Sequence, residues 1–391
     1  MSWQERDRVS LRKEFVLQAV KEEANVSELC KRYKISRKTG YKWLKRYQQG
    51  GTEMLQDISR RPKASPFKIP EAMVEKILNV REKHPYWGAR KIKAVLERQG
   101  GNAIPAKSVI HKILKHKGLI ELEEATNNQF IRFEHKAPNH LWQMDFKGHF
   151  KYEKGRCHPL TILDDHSRFS LDLTACLNEK SETVKPIIIE TFRRYGLPER
   201  MNFDNGNPWG SVFKDVRYTS FSKWLIRLGI RVSYSRPRHP QTNGKDERFH
   251  RTLKLELLER HYFRDLAQIQ RSFDNWRDIY NLERPHEGIG MQVPADRYHP
   301  SYRTYPEVLP PIEYSEDYLI RKADSRGRIS LQNKQIFVGI PFANEALGIR
   351  HCANLDEIEI YFAHQKLGKI DMQMTTKNTI TNLYSGRVSV L

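Results

Sequence analysis

The apolar positions along the chain change their period twice, which divides the chain into three parts. Up to about residue 120, apolar side chains recur every three or four residues, as on the buried face of amphipathic helices. From about residue 140 to 300, short apolar runs of strand length alternate with helical segments. Beyond about residue 315, stretches such as QIFVGIPF and EIEIYFA alternate apolar and polar residues. The pattern predicts a multidomain α/β protein with all-α units first, a mixed α/β core next and a small C-terminal β-barrel last.

The stretch VSELCKRYKISRKTGYKWLKRY predicts a helix-turn-helix. Residues 26–33 form its first helix, residues 34–35 the turn, and Ser36 the N-cap, whose hydroxyl accepts a hydrogen bond from an otherwise unsatisfied backbone N–H. Trp43 and Leu44 then pack inward. The opposite face is basic and can enter a major groove; it comprises Arg37, Lys38, Thr39 and Lys42. A solvated basic face on a small helical bundle is the alternative interpretation.

Residues 56–70 have no apolar period and contain three prolines, which predicts an extended linker. Its Arg60 and Arg61 can follow a phosphate backbone or a minor groove, and a plain spacer is the equal alternative.

A second helical unit at 71–122 is interpreted as a second helix-turn-helix. Pro105 suits the first turn of its last helix. The remaining positions of that helix divide by polarity: Val109, Ile113 and Leu114 point inward, and Lys107, Lys112 and Lys115 point outward.

These patterns together predict the following segments: a helix-turn-helix domain at 1–55, the linker at 56–70, the second helix-turn-helix domain at 71–122, a mixed α/β core at 136–300 and a small β domain at 310–391.

The charge of the chain narrows its partners. Lysine and arginine number 68 against 47 aspartates and glutamates, so the formal net charge is +21. Such an excess repels itself unless a polyanion is bound, so nucleic acid is the expected partner. A membrane surface is the rival, but no run approaches the ~18 apolar residues that span a bilayer, and residues 1–10 form no apolar signal segment. We therefore expect a cytoplasmic protein that does not bind membranes.

Cysteine usage gives no sign of a metal centre. The four cysteines lie far apart with no CxxC pair, which argues against zinc and against a disulfide framework. Buried free thiols are expected.

Three carboxylates occupy unusual places. Asp145 lies inside the apolar run WQMDF, Asp204 ends the strand-like MNFD, and Glu247 lies on a strongly basic helix. Each alone has an ordinary explanation, as a turn cap or a surface ion pair. However, an unpaired carboxylate in an interior strand costs several kcal/mol in desolvation, and a cation is the partner that best offsets it.

Three neighbouring acids are weaker candidates. Asp246 lies about 100° around the helix from Glu247 and cannot replace it without rotating the helix. Asp164 and Asp165 are interpreted as turn residues between two strands rather than as ligands.

The motifs WQMDF, FDNGNPWG and SRPRHPQTNGKDERFHRTLK resemble, in this order, those of the DDE transposases of bacterial insertion sequences, whose core is like that of retroviral integrases. ISRKTGYKWLKRY resembles the N-terminal helix-turn-helix of one branch, and YNLERPHEGIGMQVPADRY resembles the end of its core. The resemblance covers roughly residues 10 to 300. It implies a ribonuclease H-like core in which Asp145, Asp204 and Glu247 hold two Mg²⁺ or Mn²⁺ ions.

The resemblance also implies an activity. The protein would bind the terminal inverted repeats of its own mobile element, hydrolyse a phosphodiester bond to free a 3′-OH, and join that end to target DNA. Carboxylate oxygens suit hard divalent ions, and two ions ~3.5–4 Å apart can serve the attacking and the leaving oxygen. Arg251 and Lys254 share the helix face of Glu247 and are expected to grip phosphates.

Two element ends must be paired, so a homodimer or higher oligomer on double-stranded DNA is expected, in the bacterial cytoplasm with the nucleoid. The chain departs from the family in one respect. Many members have about thirty-five residues between the second aspartate and the glutamate, whereas 42 separate Asp204 from Glu247. We expect the excess to form a surface insertion near NPWGSVFKDVRYTS.

Two other functions remain open. A helix-turn-helix regulator without catalysis would explain the charge but not the three acids. A structure-selective nuclease of the same fold would explain the acids but not two N-terminal DNA-binding units.

Overall fold

The computed structural model describes residues 8–57, 69–101, 103–120, 134–204, 206, 208–210, 217–235, 244–352, 356–373, 379–384 and 388–390. The chain forms two compact units, Met1–Ile69 and Pro70–Leu391. Arg60 and Arg61 of the predicted linker lie outside the described residues. Within these ranges no helix combines the length and the apolar character needed to cross a bilayer.

The first unit is a bundle of three helices. They are α1 (Arg8–Ala19), α2 (Val26–Arg32) and α3 (Arg37–Gly50). The Ser36 hydroxyl accepts a hydrogen bond from the backbone N–H of Thr39 at 3.2 Å, and α3 begins there as the sequence predicts. Trp43 and Leu44 are buried against Phe15 and Val16 of α1. The core of the unit therefore fixes which face of α3 remains in solvent.

The second unit begins with three further helices. They are α4 (Glu71–Lys83), α5 (Ala89–Arg98) and α6 (Lys107–His116). The prediction for Pro105 was wrong by two positions, because α6 begins at Lys107 with Ala106 as its N-cap. Ile110 and Leu114 form the buried stripe of α6, while Val109 and Ile113 are only partly covered, so the stripe is displaced from the predicted one.

A mixed α/β core follows, which confirms the predicted class of this segment. Its elements are β1 (Trp142–Phe146), β2 (Phe150–Tyr152), β3 (Gly155–Asp164), β4 (Ser170–Cys176), α7 (Ser181–Tyr195), β5 (Arg200–Phe203), α8 (Ser220–Arg227), β6 (Arg231–Tyr234), α9 (Gly244–Leu253) and α10 (Leu266–Asp278). The sheet order is β2-β3-β1-β5-β6, with β4 paired to β3. β1 runs antiparallel to β3 and parallel to β5, and β5 runs parallel to β6.

Helices cover both faces of this sheet because its strands alternate their apolar side chains between two clusters. Leu160 and Ile162 of β3 point towards the cluster that contains α7 and α8. Leu163 of the same strand and Leu173 of β4 point towards the cluster that contains α9 and α10. The helix that carries Glu247 is thereby packed onto the sheet face opposite α7.

Helices α4 to α6 are held against the end of the core. Arg98 of α5 forms a two-point ion pair with Asp296, and its Nη2–Oδ1 distance is 2.8 Å. Lys83 of α4 lies 2.9 Å from Glu283. Such exposed pairs contribute little energy each, but Ile279 also packs into the apolar cluster of these helices. The apolar contact and the ion pairs act at the same surface.

The C-terminal strands do not form the predicted β-barrel. They are β7 (Leu319–Lys322), β8 (Arg328–Leu331), β9 (Lys334–Phe337), β10 (Ala346–His351), β11 (Glu357–Phe362), β12 (Gln365–Asp371), β13 (Thr379–Asn382) and β14 (Val388–Val390). Two open four-stranded sheets result, ordered β12-β11-β10-β7 and β14-β13-β9-β8. Neither closes on itself within the described strands. Alternating polarity specifies a strand with one buried face, but it does not specify which edges pair, so the barrel prediction was wrong.

The two C-terminal sheets share one apolar cluster with the mixed α/β core. The Tyr218 ring lies 5.7 Å from the Phe342 ring and 6.0 Å from the Tyr384 ring, measured between centroids. Lys223 of α8 forms an ion pair of 2.8 Å with Glu345. These sheets therefore cover α8 and β6 and complete the interior of the core.

The predicted surface insertion is wrong at both described ends. Trp209 is buried, and its ring stacks on Phe203 and Phe146, with centroids 5.4 and 5.6 Å apart. Tyr218 is buried as well. Residues 211–216 lie outside the described residues. The extra length thus begins and ends inside the core because large aromatic side chains anchor it there.

All four cysteines are free thiols; Cys30, Cys157 and Cys176 are buried, and Cys352 is partly buried.

Candidate active site

Two of the three predicted acids lie at the carboxyl ends of neighbouring strands. In the parallel pairing of β1 with β5, Trp142 lies opposite Met201 and Gln143 opposite Asn202. If the same register continues for two more residues, Asp145 lies beside Asp204. Both carboxylates are partly buried. A pair of parallel strands therefore brings together two acids that are far apart in the sequence.

A buried polar link connects the strand of Asp145 to the helix of Glu247. The Thr161 hydroxyl of β3 donates to the backbone carbonyl of Asp145 at 3.0 Å. The hydroxyl donates its only proton to this carbonyl, so it must accept a hydrogen bond from the Nε2–H of His250 on α9, at 2.9 Å. Burial lowers the pKa of His250 to about 4, and Lys147 adds to the effect, so the imidazole is neutral. Glu247 lies on α9 three residues before this anchor.

The electrostatics of the two strand ends favour a cation. Burial and the negative charges of Asp204, Glu179 and Glu247 together raise the pKa of Asp145 to about 7, against the backbone N–H of Phe146. Burial also raises the pKa of Asp204, and Glu179 adds to it, although the Gly206 N–H donates to this carboxylate at 3.1 Å. The charges that act most strongly on both groups are negative. The arrangement is a cluster of acids that repel one another.

The two adjacent acids of α9 differ in environment. Glu247 is exposed, whereas Asp246 is only 1% exposed, and its Oδ1 has no hydrogen-bond partner among the described residues. Burial raises the pKa of Asp246 well above its usual value, and Asp145 is the strongest charge acting on it. The helix thus contributes one acid at the surface and one below it.

Glu179 is an acid near the site that the sequence analysis missed. It follows β4, and β4 runs parallel to β1 because each is antiparallel to β3. Its charge acts on both Asp145 and Asp204. Its carboxylate contacts His158 Nδ1 at 2.8 Å. Topology was the available signal, since the residues after β1, β4 and β5 all emerge at one edge of the sheet.

Asp164 and Asp165 have structural partners. Asp164 accepts hydrogen bonds from the backbone N–H and the hydroxyl of Ser167, at 2.8 and 2.6 Å, and thereby closes the turn between β3 and β4. Asp165 forms an ion pair with Lys245 of α9 and accepts from Gln143 Nε2 at 3.0 Å. These two carboxylates stabilise the turn and hold α9 on the sheet.

The carboxylates at the strand ends are suitable ligands for a divalent cation, but their side chains do not converge on a common point. Among the described residues, no three side chains of His, Cys, Asp or Glu converge closely enough to hold an ion. Carboxylate oxygens are nevertheless the donors that hard divalent ions prefer, and a buried acid with a raised pKa is stabilised by such an ion.

The predicted DNA-contacting residues of the first unit lie where α3 begins. Arg37, Lys38 and Lys42 are exposed. Thr39 is partly buried, and its hydroxyl lies 2.9 Å from the Ser36 hydroxyl, so the N-cap occupies it. Three exposed cations therefore remain on the face that was expected to meet a groove.

The predicted contacts of the second unit are exposed as well. Lys107 and Lys112 lie on the solvent side of α6. Arg251 is exposed on α9, whereas Lys254 begins the π-helical turn Lys254–Leu258 and lies 3.3 Å from Glu259. Of the two residues expected beside Glu247, Arg251 is the one whose charge is not offset by a described carboxylate.

Family models match most of the chain up to residue 294. Two models described as an integrase core domain match residues 135–240 and 228–294. A helix-turn-helix domain model matches residues 12–63, and a homeodomain-like domain model matches residues 39–114.

Two curated proteins of insertion elements are similar to this chain. A 31.7 kDa protein of insertion element IS407 from Burkholderia multivorans is 23% identical over 239 residues, which cover 60% of this chain and 83% of the relative. A transposase for insertion sequence element IS904 from Lactococcus lactis is 34% identical over 88 residues, which cover 22% of this chain and 34% of the relative. A simian T-cell lymphotropic virus intasome chain, solved in complex with PP2A regulatory subunit B56 gamma, matches 70% of this chain and 91% of its own length. Its identity is 17% and its TM-score 0.37, too low to carry an argument about fold.

Proposed function

We propose that this chain, which carries an integrase core domain behind helix-turn-helix domains and has homologues in insertion elements, is a DNA transposase. It binds the terminal inverted repeats of its own element, cleaves a phosphodiester bond to free a 3′-OH end, and joins that end to target DNA.

One observation carries the proposal. Asp145 and Asp204 end neighbouring parallel strands, and the charge of Glu247 on α9 reaches Asp145, whose pKa rises to about 7. A fold that serves only DNA binding has no use for such a cluster, because mutual repulsion and burial destabilise it. The cluster has a function if it binds a cation that lies next to a phosphate of DNA.

In this proposal Asp145, Asp204 and Glu247 hold two Mg²⁺ or Mn²⁺ ions, in keeping with the divalent-metal dependence of the integrase core family. Bound metal would polarise the phosphodiester and offset the negative charge that develops during its displacement. The chain's own residues orient the reaction. Thr161 and His250 fix α9 against the strand of Asp145, so the exposed Glu247 faces the DNA from a rigid support.

The helix-turn-helix of the first unit provides recognition in this proposal, with Arg37, Lys38 and Lys42 in the major groove. Two ends must be held together for transposition, so the working form is a homodimer or higher oligomer. The protein acts where element DNA lies, in the bacterial cytoplasm with the nucleoid.

The test uses the DNA that flanks the gene. Full-length protein is incubated with a labelled fragment carrying one inverted repeat, with Mg²⁺ or with EDTA, and the strand ends are mapped. We expect a new 3′-OH at the repeat boundary with Mg²⁺ only, and none with the Asp204→Asn variant. Binding without cleavage under every metal condition would favour a regulator. Cleavage of branched DNA irrespective of the repeat would favour a structure-selective nuclease.

A further inference from the structure

A basic cleft of about 1030 Å³ opens between the helices α5 and α6 and the helix α9. Among the described residues, eight lysines and arginines line it, against a single carboxylate, that of Glu287. The cleft and the candidate active site share the helix α9, where Arg248 of the cleft wall follows Glu247 and points about 100° away from it. None of its lining residues belongs to the acid cluster.

Part of this positive charge is balanced within the protein. Arg284 pairs with Glu256 at 3.0 Å and Arg90 with Glu287 at 3.5 Å. Four cations of the lining have no carboxylate partner in the part of the chain that the structure describes; these are Lys91, Lys107, Lys112 and Arg248. The cleft therefore carries more positive charge than the protein itself compensates.

Lys91 lies deepest among the four, because it is partly buried whereas the other three are exposed. Burial lowers the pKa of Lys91 to about 8, and the charge of Arg284 contributes. A half-buried lysine beside an arginine is stabilised when an anion enters between them. An occupant with closely spaced negative charges would suit this arrangement.

The shape of the cleft favours a single strand over a duplex. The floor of the cleft includes Tyr280 and His286, which are buried. Its volume of about 1030 Å³ is that of a large ligand pocket, which can hold a few nucleotides of a single strand but cannot enclose a duplex. Tyr86 lines the cleft and is 44% exposed, and the Arg260 guanidinium lies 4.4 Å from the centroid of its ring, so a base can stack only on the opposite face. Unpaired bases bind proteins by stacking on such rings beside a positive groove.

We propose that the basic cleft binds an unpaired segment of DNA next to the cleavage site, with phosphates on Lys91, Lys112 and Arg248 and a base on Tyr86. The inference rests on the proposed function, since it names the strand form that the same enzyme accommodates. It assigns to the second helical unit a contact with single-stranded DNA in addition to any contact with a groove.

The experiment compares two probes of random sequence, a blunt duplex of about 20 base pairs and the same duplex with an unpaired tail of about six nucleotides. Binding to full-length protein is measured by fluorescence anisotropy in EDTA across a salt series. The test variant is Lys112→Ala/Arg248→Ala. The control is Lys115→Ala/Arg271→Ala, which removes the same charge from exposed positions that do not line the cleft.

We expect the wild-type protein to bind the tailed probe roughly tenfold more tightly than the blunt one. The test variant should lose this preference, and its salt slope on the tailed probe should flatten by about 1.4, which corresponds to two lost single-strand phosphates. Tyr86→Ala should weaken tailed binding roughly fivefold or more, while Tyr86→Phe keeps the ring and the affinity. The control variant should retain the preference.

Three outcomes would overturn the inference. Equal flattening on both probes would assign the cleft to duplex DNA, and no flattening would mean that its cations act only within the protein. Displacement of the tail by micromolar free dTMP would assign it to a nucleotide. The binding measurement contains no metal, so it can be interpreted even if the protein proves unable to cleave DNA. Conversely, if the preference for the tailed probe is absent, cleavage at the repeat boundary can still be tested separately.

Discussion

Replacing Asp145 with asparagine should stabilise the metal-free protein while abolishing its cleavage activity. The pKa of Asp145 rises from 3.8 to about 7, and a difference of about three corresponds to roughly 4 kcal/mol against the ionised form. Partial exposure and the desolvation of the amide reduce the gain, so we expect about 2 kcal/mol at pH 8. A gain of this size should raise the midpoint of thermal unfolding of the second unit by several degrees.

The sign of the pH dependence follows from the direction of the shift. Between pH 4 and about 7 the folded state holds a proton on Asp145 that the unfolded state has released. This group therefore stabilises the fold below pH 4, and the contribution is lost as the pH rises through 7. The stability difference between Asp145→Asn and wild type should be near zero at pH 4 and largest at pH 8.

The assay is thermal unfolding with EDTA and with Mg²⁺, at a series of pH values. Mg²⁺ at a hundred times its Kd should stabilise the wild type by about 2.7 kcal/mol and the variant by much less. Asp165→Asn is the matched comparison, because it removes a carboxylate that has a lysine partner, and it should destabilise the protein. If Asp145→Asn lowered the midpoint in EDTA at pH 8, the electrostatic reasoning would fail.

Three further outcomes are expected. Glu247→Gln should abolish cleavage at the repeat boundary in a gel assay and leave repeat binding within about twofold, since the side chain is exposed and makes no core contact; retained cleavage would remove this residue from the site. Arg37→Ala should weaken binding to the repeat by about 1–3 kcal/mol more than binding to random DNA, and equal losses would show a phosphate contact only. Trp209→Ala should destabilise the second unit by roughly 3–5 kcal/mol in denaturant unfolding, whereas an unchanged stability would contradict its placement between the Phe146 and Phe203 rings.

The features that could be predicted best depend on residues close together in the sequence. Ser36 was identified as an N-cap because a hydroxyl one residue before a basic helix satisfies a backbone N–H within the same turn. Asp145 stood out because a carboxylate inside an apolar strand contradicts its surroundings. The proximity of these acids was suggested by the order of three motifs, and their roles stay a prediction.

Contacts between distant segments could not be read from the pattern. The burial of Trp209 depends on Phe146, more than sixty residues earlier, and its sequence context of glycine and proline resembles a surface loop. The charge of Glu179 reaches the site through the order of strands β3 and β4 rather than through any motif. Whether the C-terminal sheets close into a barrel or stay open depends on which strand edges pair. The alternation of apolar and polar residues does not determine this pairing.

The interior shared by the mixed α/β core and the C-terminal sheets has a consequence for biosynthesis. Strands β1 to β6 leave the ribosome first, but the cluster around Tyr218 lacks Phe342 and Tyr384 until about 150 further residues have been made. At about 5–20 residues per second this takes roughly 8–30 s, during which apolar surface stays uncovered. We expect chains interrupted before β13 to be degraded rather than to accumulate as free catalytic cores. The cellular level of active protein would then follow the rate of complete translation.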